Sequence, residues 1–219
     1  MSQGKTFKGR VVAETIEVRF AFSGKVAKVH KNPGDKVKAG ERLAALGTKM
    51  LQAELDKELA DYERARAEFE IFKIKSHDST TDVEKYEKTR KQGFLDAAVK
   101  QVEIAKYRLD RTQLSSPVAG IVLENSGLRP GMFITPGSYG IEILDLHSLH
   151  LRIEVAWSEI GRFPQGAEVK MKIEGKEEEL TGKILPLLPY PKKGKGLIRI
   201  KLQGIDGIWP GMEGEVKFS

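Results

Sequence analysis

The spacing of apolar residues changes twice along this chain, and each change predicts a different kind of structure. In the middle of the chain, apolar side chains recur at alternating steps of four and three, which is the period of an α-helix that packs along one stripe. The first helical arm carries this spacing at Leu51, Leu55, Tyr62, Ala65, Phe69 and Phe72, and the second carries it at Ala98, Val102, Ala105 and Leu109. In the first arm, Glu58 fills one position of the series and Leu59 lies beside it.

A short polar segment separates the two arms. It runs from Lys75 to Thr81 and contains no apolar residue, which is typical of a turn. Each arm has roughly 25 to 30 residues, so at about 1.5 Å per residue the pair predicts an antiparallel coiled-coil hairpin about 40 Å long. A single apolar stripe on each arm favours this hairpin over two helices of a compact bundle.

Polar residues of the second arm predict how this helix begins and how its surface is stabilised. Thr81 and Glu84 have the spacing of a capping box, in which the hydroxyl and the carboxylate each accept a backbone N–H. Gly93 is expected to weaken the helix by about 1 kcal/mol relative to Ala. Acid-before-base pairs four residues apart are predicted at Glu84/Lys88, Glu87/Lys91 and Asp96/Lys100.

A glycine and proline motif occurs once on each side of the helical segment. The first copy has Gly24, Pro33, Gly34 and Gly40, and the second has Gly120, Pro130, Gly131 and Gly137. Short Val/Ile pairs alternate with these turn residues, as in strands joined by tight turns. Neither half can bury a core alone, so the sequence predicts two half-domains that pack together. We expect Gly34→Val or Gly131→Val to disrupt folding, because a β-branched residue resists positive φ.

Beyond the second copy the apolar period becomes two, which is the period of a β-strand with one buried face. Alternating segments lie at 149–156, 167–173, 197–202 and 215–218, with glycine-rich turns between them. The segment from Trp157 to Gly161 is predicted to form one helical turn that plugs an end of a small sandwich or barrel. The opening strands, at 7–12 and 16–20, either complete this barrel or lead into the first half-domain.

These patterns together predict a mostly β fold with an inserted α-helical hairpin. The predicted units are N-terminal strands at 1–20, a first half-domain at 21–48, the hairpin at 49–113, a second half-domain at 114–145 and a β-barrel at 146–219.

Composition excludes several classes of function. The 219 residues contain no Cys, so disulfides, thiolate catalysis and cysteine-based zinc sites are excluded. No run approaches the roughly 18 apolar residues of a membrane span, and the N-terminus lacks the apolar core of a signal peptide. The net charge of +6 is spread over the strand-rich segments without a basic stripe, which argues against nucleic-acid binding.

Candidate chemical sites are few. His147 and His150 have the spacing of a metal-binding pair, but residues three apart on a strand point to opposite faces, so no metal site is predicted. His77 in the predicted turn is interpreted as a solvated side chain that can titrate near neutral pH. The sequence contains no nucleophile elbow or phosphate-binding glycine loop, so we predict neither an enzyme nor a cofactor.

The order of these segments resembles the periplasmic adaptor, or membrane fusion protein, family, which includes HlyD-like adaptors. The resemblance is carried by VRFAFSGKVAKVHKNPGDKVKAGERLAAL, by the helical hairpin, by LSSPVAGIVLENSGLRPGMFITPGS and by the closing segment from Trp209 to Val216. It covers roughly residues 7 to 219. In that family a coiled-coil hairpin splits a lipoyl/biotinyl-like β domain, and a small β-barrel follows. The two half-domains here are therefore expected to form a lipoyl-like domain.

The resemblance implies an efflux or secretion adaptor between an inner-membrane transporter, either ABC or proton-driven, and an outer-membrane exit duct or another outer component. Copies would assemble into a homo-oligomer in the periplasm or another extracytoplasmic space, attached to the inner membrane through a segment outside the printed chain. The tip lacks the Arg, Leu and Ser pattern of adaptors that dock on outer-membrane ducts. The hairpin-tip residues expected to dock a partner are Ser76, His77, Asp78, Ser79, Thr80 and Thr81.

Two other functions remain open from the sequence. The segment from Gly40 to Met50 resembles the attachment hairpin of biotin or lipoyl carrier domains, which would make Lys49 the cofactor-bearing residue. Lys49 leads directly into the predicted helix at Leu51, however, whereas a carrier Lys stands at an exposed tight turn. The second alternative is a cytosolic coiled-coil scaffold, which upstream sequence encoding an export signal would exclude.

Overall fold

The computed structural model describes residues 5–75, 81–190, 194–204 and 206–218. Two long helices, α1 (Lys49–Lys75) and α2 (Asp82–Asp110), separate the first five strands of this part of the chain from the later ones. The strands before them are β1 (Lys5–Val12), β2 (Thr15–Val18), β3 (Gly24–Val29), β4 (Lys36–Val37) and β5 (Arg42–Leu46). The strands after them are β6 (Gln113–Ser115), β7 (Gly120–Glu124), β8 (Phe133–Ile134), β9 (Ile141–Asp145), β10 (His150–Ala156), β11 (Glu168–Ile173), β12 (Leu180–Ile184), β13 (Leu188–Tyr190), β14 (Lys195–Leu202) and β15 (Glu213–Phe218).

The period-two segments form a closed barrel, as predicted. Its strands follow the order β10, β1, β15, β11, β12 and β14, and β10 closes it by pairing with both β1 and β14. Alternate side chains point inward, so Leu151, Ile153 and Val155 of β10 are all buried in one apolar cluster. The predicted helical turn is a 3-10 turn at Trp157–Arg162, and its Ile160 packs against that cluster.

The opening strands divide between the two β units. β1 pairs with β10 and β15 in the barrel, whereas β2 pairs with β9 in the neighbouring domain. The strand bounds also differ slightly from the predicted ones, because β14 begins at Lys195 and β15 begins at Glu213. A 3-10 turn at Leu146–Ser148 precedes β10, so His147 does not lie on a strand as we assumed.

The two half-domains pack together, as predicted, and share one core. One four-stranded sheet has the order β2, β9, β7 and β4, and the other has the order β6, β5, β3 and β8. Each sheet combines strands from before and after the helices, so neither half is complete without the other. The shared core buries large side chains that include Phe20, Leu43, Ile134, Ile141 and Ile143.

The helices form the predicted antiparallel hairpin. The apolar series of α1 faces α2, and its Phe69 retains only 7% of its exposure. Ion pairs cross between the helices, with 2.7 Å between Arg108 Nη1 and Glu54 Oε1 near the base. A second pair joins Lys91 Nζ and Glu68 Oε2 at 4.0 Å.

Local polar contacts on α2 differ from the predicted ones. Thr81 is the N-cap, but its hydroxyl donates to Glu84 Oε2 at 2.6 Å and accepts no backbone N–H. The capping-box prediction is therefore wrong, because the two side chains bond each other instead of the helix end. Ion pairs on this helix join residues three apart instead of four, as in Asp82 with Lys85 at 3.0 Å and Glu103 with Lys100 at 2.8 Å.

The chain crosses between the split domain and the barrel at two adjacent places. Glu14 follows β1, and Ser148 precedes β10. The N–H of Glu14 donates to Ser148 Oγ at 2.7 Å, and the N–H of Asp145 donates to the carbonyl of Glu14 at 2.9 Å. These bonds hold the two crossings together.

Candidate docking surfaces

The hairpin leaves the split domain between two paired strands. β5 and β6 are antiparallel neighbours, with Ala45 opposite Gln113, and the N–H of Leu46 donates to the carbonyl of Thr112 at 2.9 Å. In an ordinary β-hairpin a short turn would join these strand ends. Here α1 and α2 replace that turn, so α1 begins and α2 ends beside these two paired strands.

The Pro-Gly turns connect the two halves reciprocally. The N–H of Gly34 in the first copy donates to Val122 of the second, and the N–H of Gly131 in the second donates to Val26 of the first, each at 2.8 Å. Val26 and Val122 occupy equivalent places in the two copies, and both are buried. The two copies are therefore arranged reciprocally, because the Pro-Gly turn of each copy hydrogen-bonds to a strand of the other.

The glycines chosen from the repeat have two different roles. Gly34, Gly40, Gly131 and Gly137 all have φ between +77° and +94°, a region that L side chains rarely adopt. Gly24 and Gly120 instead begin strands β3 and β7. A Cβ at Gly120 would lie 2.8 Å from Ile143 Cγ2 and would also collide with the carbonyl oxygen of Leu144, so this position needs Gly for close packing.

Ionic contacts stabilise the turn at Gly40. Lys31 Nζ lies 2.6 Å from Glu41 Oε1, and the backbone N–H of Lys38 donates to Glu41 Oε2 at 2.8 Å. The Lys31 contact, followed by the Lys38 N–H, lowers the pKa of Glu41 below its usual value. At Gly137, the guanidinium of Arg19 donates to the carbonyl oxygen.

Lys49 is the first residue of α1 and not part of a tight β-turn. The N–H of Gln52 donates to Thr48 O at 2.8 Å, so the helix has already begun around Lys49. Met50 is 84% exposed, and beside it lies an apolar groove of about 670 Å³ that Phe22, Leu51 and Phe133 also line. The geometry does not favour the carrier alternative, because a modifying ligase requires its Lys on a protruding turn.

The predicted docking tip is only partly within the described residues. Ser76, His77, Asp78, Ser79 and Thr80 lie outside them, and Thr81 is at the N-cap position of α2. Immediately below the tip, the two helices expose large apolar side chains that our sequence prediction did not select. These are Ile71 and Ile74 at the end of α1, and Val83 and Tyr86 at the start of α2. The signal was present in the sequence, because Ile71 and Ile74 fall outside the 4-3 series that Phe69 and Phe72 continue.

Other candidate chemistry is limited in the part of the chain that the structure describes. His150 Nδ1 lies 2.7 Å from the carbonyl of Ser148, and the backbone N–H of His147 donates to Asp145 Oδ1 at 2.8 Å. No group of three or more His, Asp or Glu side chains among the described residues could hold a metal ion. None of the described helices is long and apolar enough to span a membrane.

Solved structures with this fold share nearly the whole chain. The membrane fusion protein Spr0693 from Streptococcus pneumoniae is 18% identical with a TM-score of 0.78, over 97% of this chain and 98% of that one. A MacA-MexA chimera with the Pseudomonas aeruginosa MexA hairpin is also 18% identical with a TM-score of 0.78, covering 100% of this chain and 80% of that one. MacA from Actinobacillus actinomycetemcomitans is 16% identical with a TM-score of 0.65, over 100% of this chain and 79% of that one.

Sequence comparison identifies the split domain and the hairpin directly. A comparison with curated proteins gave no significant match. The family model of the CzcB-like, barrel-sandwich hybrid domain matches residues 14–136. That range begins beside β2, contains the first copy of the glycine and proline motif and the second copy as far as its Pro-Gly turn, and includes the whole hairpin. The chain therefore belongs to the family defined by the CzcB-like barrel-sandwich hybrid domain.

Proposed function

We propose that this chain is the adaptor subunit of a multicomponent efflux or secretion system. It would bridge an inner-membrane transporter and an outer component in an extracytoplasmic space. The observation that carries this proposal is the hairpin, because two helices of 27 and 29 residues project from the paired strands β5 and β6 and carry exposed apolar side chains near their far end. A projection about 40 Å long is suited to reach a second protein.

The solved relatives support this proposal. They include proteins named as a membrane fusion protein and as a periplasmic adaptor, and they share the order of split domain, hairpin and barrel. An adaptor of this kind works by assembly and needs no catalytic group. Transported molecules would pass through a tube of several copies, so one chain alone would not bind them tightly.

The apolar end of the hairpin is the proposed contact with the outer component. Ile74 is 74% exposed within one turn of the end of α1, and Tyr86 is exposed on the facing helix. Exposed apolar side chains in such a group are typical of interaction sites. The polar residues 76–81, which join the two helices in the sequence, are included in the proposed contact.

A matched pair of substitutions tests this contact. We expect Ile74→Ser to weaken both transport in cells and capture of the outer component by the tagged protein. Ile104→Ser makes the same change on α2 nearer the base, where Ile104 is 46% exposed, and should leave both unchanged. Replacement of residues 76–81 by a Gly/Ser turn should act like Ile74→Ser. If transport and capture survive both tip changes, the hairpin end is not the docking site.

Fractionation of cells that produce the natural protein tests the proposed location. We expect the protein with the inner membrane, accessible to protease from the extracytoplasmic side. Recovery from the cytosol in a soluble form would contradict an adaptor role and favour the scaffold alternative.

A further inference from the structure

The outer face of the barrel carries basic side chains in two cross-strand rows. In the first row, Arg10, Arg152 and Arg199 lie directly opposite one another on β1, β10 and β14. Residues directly opposite in an antiparallel pair point to the same side of the sheet. Arg10 is exposed and the two other arginines are half-buried, so the row lies on the solvent side.

The second row lies immediately beside the first. His150, Lys201 and Lys183 lie opposite one another on β10, β14 and β12. His150 is two residues from Arg152 and Lys201 is two residues from Arg199, so both rows share one surface. We call these six residues the cationic face.

The cationic face lowers the stability of the barrel in a single copy of the chain. Like charges directly opposite one another destabilise a sheet. Arg199 Nε is buried without a hydrogen-bond partner among the described residues. Lys183 and Lys201 form no ion pair within the described part of the chain. A surface of this kind would be stabilised by an external anionic group.

The acidic residues around this face lie at its margins. Glu213 approaches Arg10 only to 4.0 Å, and Glu154, two residues beyond Arg152 on β10, lies 3.8 Å from Lys195, which is not one of the six residues. Glu168 lies opposite Lys183 in the β11–β12 pair but forms no ion pair with it at 4 Å or less. Among the described residues, these carboxylates therefore leave Lys183 and Lys201 of the second row without an ion pair.

The same barrel exposes a complementary acidic turn. Glu177, Glu178 and Glu179 are exposed between β11 and β12, and Asp206 lines the same surface depression as the first two, with Lys176 among them. Glu179 lines a separate depression together with Lys170, Lys172 and Lys217, so Glu177 and Glu178 are the carboxylates assigned to the acidic turn. Glu179 is four residues from Lys183, or about 13 Å along the strand, which exceeds the screening length of about 8 Å. The turn therefore does not neutralise the cationic face within one chain.

We propose that the cationic face of one copy binds the acidic turn of a second copy. The two surfaces lie at different positions around the barrel, because the face is centred on β10 and β14 and the turn joins β11 to β12. A contact between two different surfaces of identical chains is head-to-tail, and such contacts close into rings when the rotation permits. This inference rests on the proposed adaptor function, which requires copies side by side.

Charge reversal tests the contact in the full chain. One variant carries Lys183→Glu and Lys201→Glu, and the other carries Glu177→Lys and Glu178→Lys. We expect each variant alone to self-associate about tenfold or more weakly than the wild type in sedimentation equilibrium. A mixture of the two should recover the association within about threefold, because the reversed face of one then meets the reversed turn of the other. Lys57→Glu with Lys88→Glu on the hairpin is the control and should have no effect.

Zero-length carbodiimide cross-linking provides the second measurement. It joins an amine to a carboxylate that it contacts, and we expect intermolecular links from Lys183 or Lys201 to Glu177 or Glu178. The protein is also tethered to neutral vesicles at high surface density, because a raised local concentration reveals weak contacts. The proposal is wrong if the wild type gives no such links on vesicles, or if mixing the variants restores nothing.

Binding to anionic phospholipid vesicles tests whether the cationic face contacts a membrane instead of a second copy of the chain. If Lys183→Glu with Lys201→Glu abolishes that binding and leaves self-association unchanged, the face binds membrane and the proposal is wrong. Capture of the outer component by the hairpin is measured on the same variants. If the charge-reversal variants capture the outer component and self-associate like the wild type, this interface is wrong and the proposed adaptor function is unaffected. The adaptor function is tested separately by the Ile74→Ser variant, which should lose capture.

Discussion

Two glycines of the repeat show how position decides the cost of adding one methyl group. Gly120 has the backbone of Leu144 and the side chain of Ile143 within contact distance of its missing Cβ. Gly131 has φ of +92° but nothing within 4 Å. We therefore expect Gly120→Ala to lower the free energy of unfolding by about 3 kcal/mol through overpacking. Gly131→Ala should cost about 1–2 kcal/mol through backbone strain. Urea unfolding followed by tryptophan fluorescence and circular dichroism measures both.

Gly93 is the control for this comparison. It lies inside α2 with open space around it and without positive φ. Gly93→Ala should therefore raise hairpin stability by about 1 kcal/mol. Equal losses at Gly120 and Gly131 would contradict the different roles assigned to them. The sequence predicted that both positions need Gly, but only the structure separates steric contact from positive φ.

A carboxylate on the barrel end makes stability depend on acid pH. Lys5 Nζ lies 2.7 Å from Glu159 Oε1, and Arg162 Nε lies 2.8 Å from Glu159 Oε2. The hydrogen bond from Lys5 is the largest cause that lowers the pKa of Glu159 below its usual value. A carboxylate with a lowered pKa in the folded state stabilises the fold above its unfolded pKa of about 4.3, and this stability is lost as pH falls through the folded pKa.

We therefore expect the Glu159→Gln variant to lose less thermal stability than the wild type as the pH falls from about one unit above to about one unit below the usual carboxyl pKa. At pH 7 the variant should melt slightly below the wild type. Melting curves at several pH values measure the difference between the two proteins. A constant difference across that window would show that Glu159 does not contribute through its charge.

At the scale of single elements, the hairpin depends on the stripe that its helices share. Phe69 is the most buried side chain of α1, whereas Ile74, little more than one turn further, is largely exposed. We expect Phe69→Ala to destabilise the hairpin by about 3 kcal/mol, because it removes a packed aromatic ring between two helices. Helical ellipticity during thermal unfolding should fall at a lower temperature, with little change in the barrel.

Ile74→Ala is the matched control, since it removes an apolar side chain from the same helix. It should leave the helical transition within a few degrees of the wild type. If both substitutions act equally, the assigned stripe is wrong.

Periodicity predicted long elements well and short strands poorly. The helices could be predicted because their apolar stripe recurs over several turns, and β10 and β11 could be predicted because buried side chains alternate along them. In β14 only the second half alternates, at Ile198, Ile200 and Leu202. β12 was missed because Gly182 occupies one of its inward positions and leaves no apolar side chain there. Met171 and Ile200 occupy the space that a side chain at Gly182 would need. A packing relation between residues of three strands leaves no local mark in the sequence.

At the scale of the whole molecule, the split domain should fold without its hairpin. Leu46 bonds Thr112 where α1 and α2 depart, so the two strand ends already have the separation of a tight turn. We expect replacement of residues 47–111 by Asn-Gly to retain both β units, because this pair favours two-residue β-turns. The shortened protein should lose its helical signal and its capture of the outer component. Loss of the β-sheet signal would show that the hairpin is required for folding.

The order of segments along the chain was visible in the sequence, and the order of strands in space was not. The two half-domains were predicted from repeated turns, but reciprocal bonding of each turn to the other copy depends on strand register. The cationic face is a stronger example. Arg10 and Arg199 lie 189 positions apart in sequence, and only closure of the barrel through β10 brings them into one row.

The pairing of β1 with β15, more than 200 residues later, has a consequence for synthesis. Lys5 of β1 lies opposite Phe218 of β15, and β15 separates β1 from β11. The hairpin is nested within the split domain, and the split domain is nested within the barrel. On the ribosome, the hairpin completes its contacts first and the split domain second, since local contacts form before distant ones. The barrel must wait with β1 unpaired on one side until β15 emerges. During synthesis, its exposed strand edge is the part of this protein that most needs a chaperone.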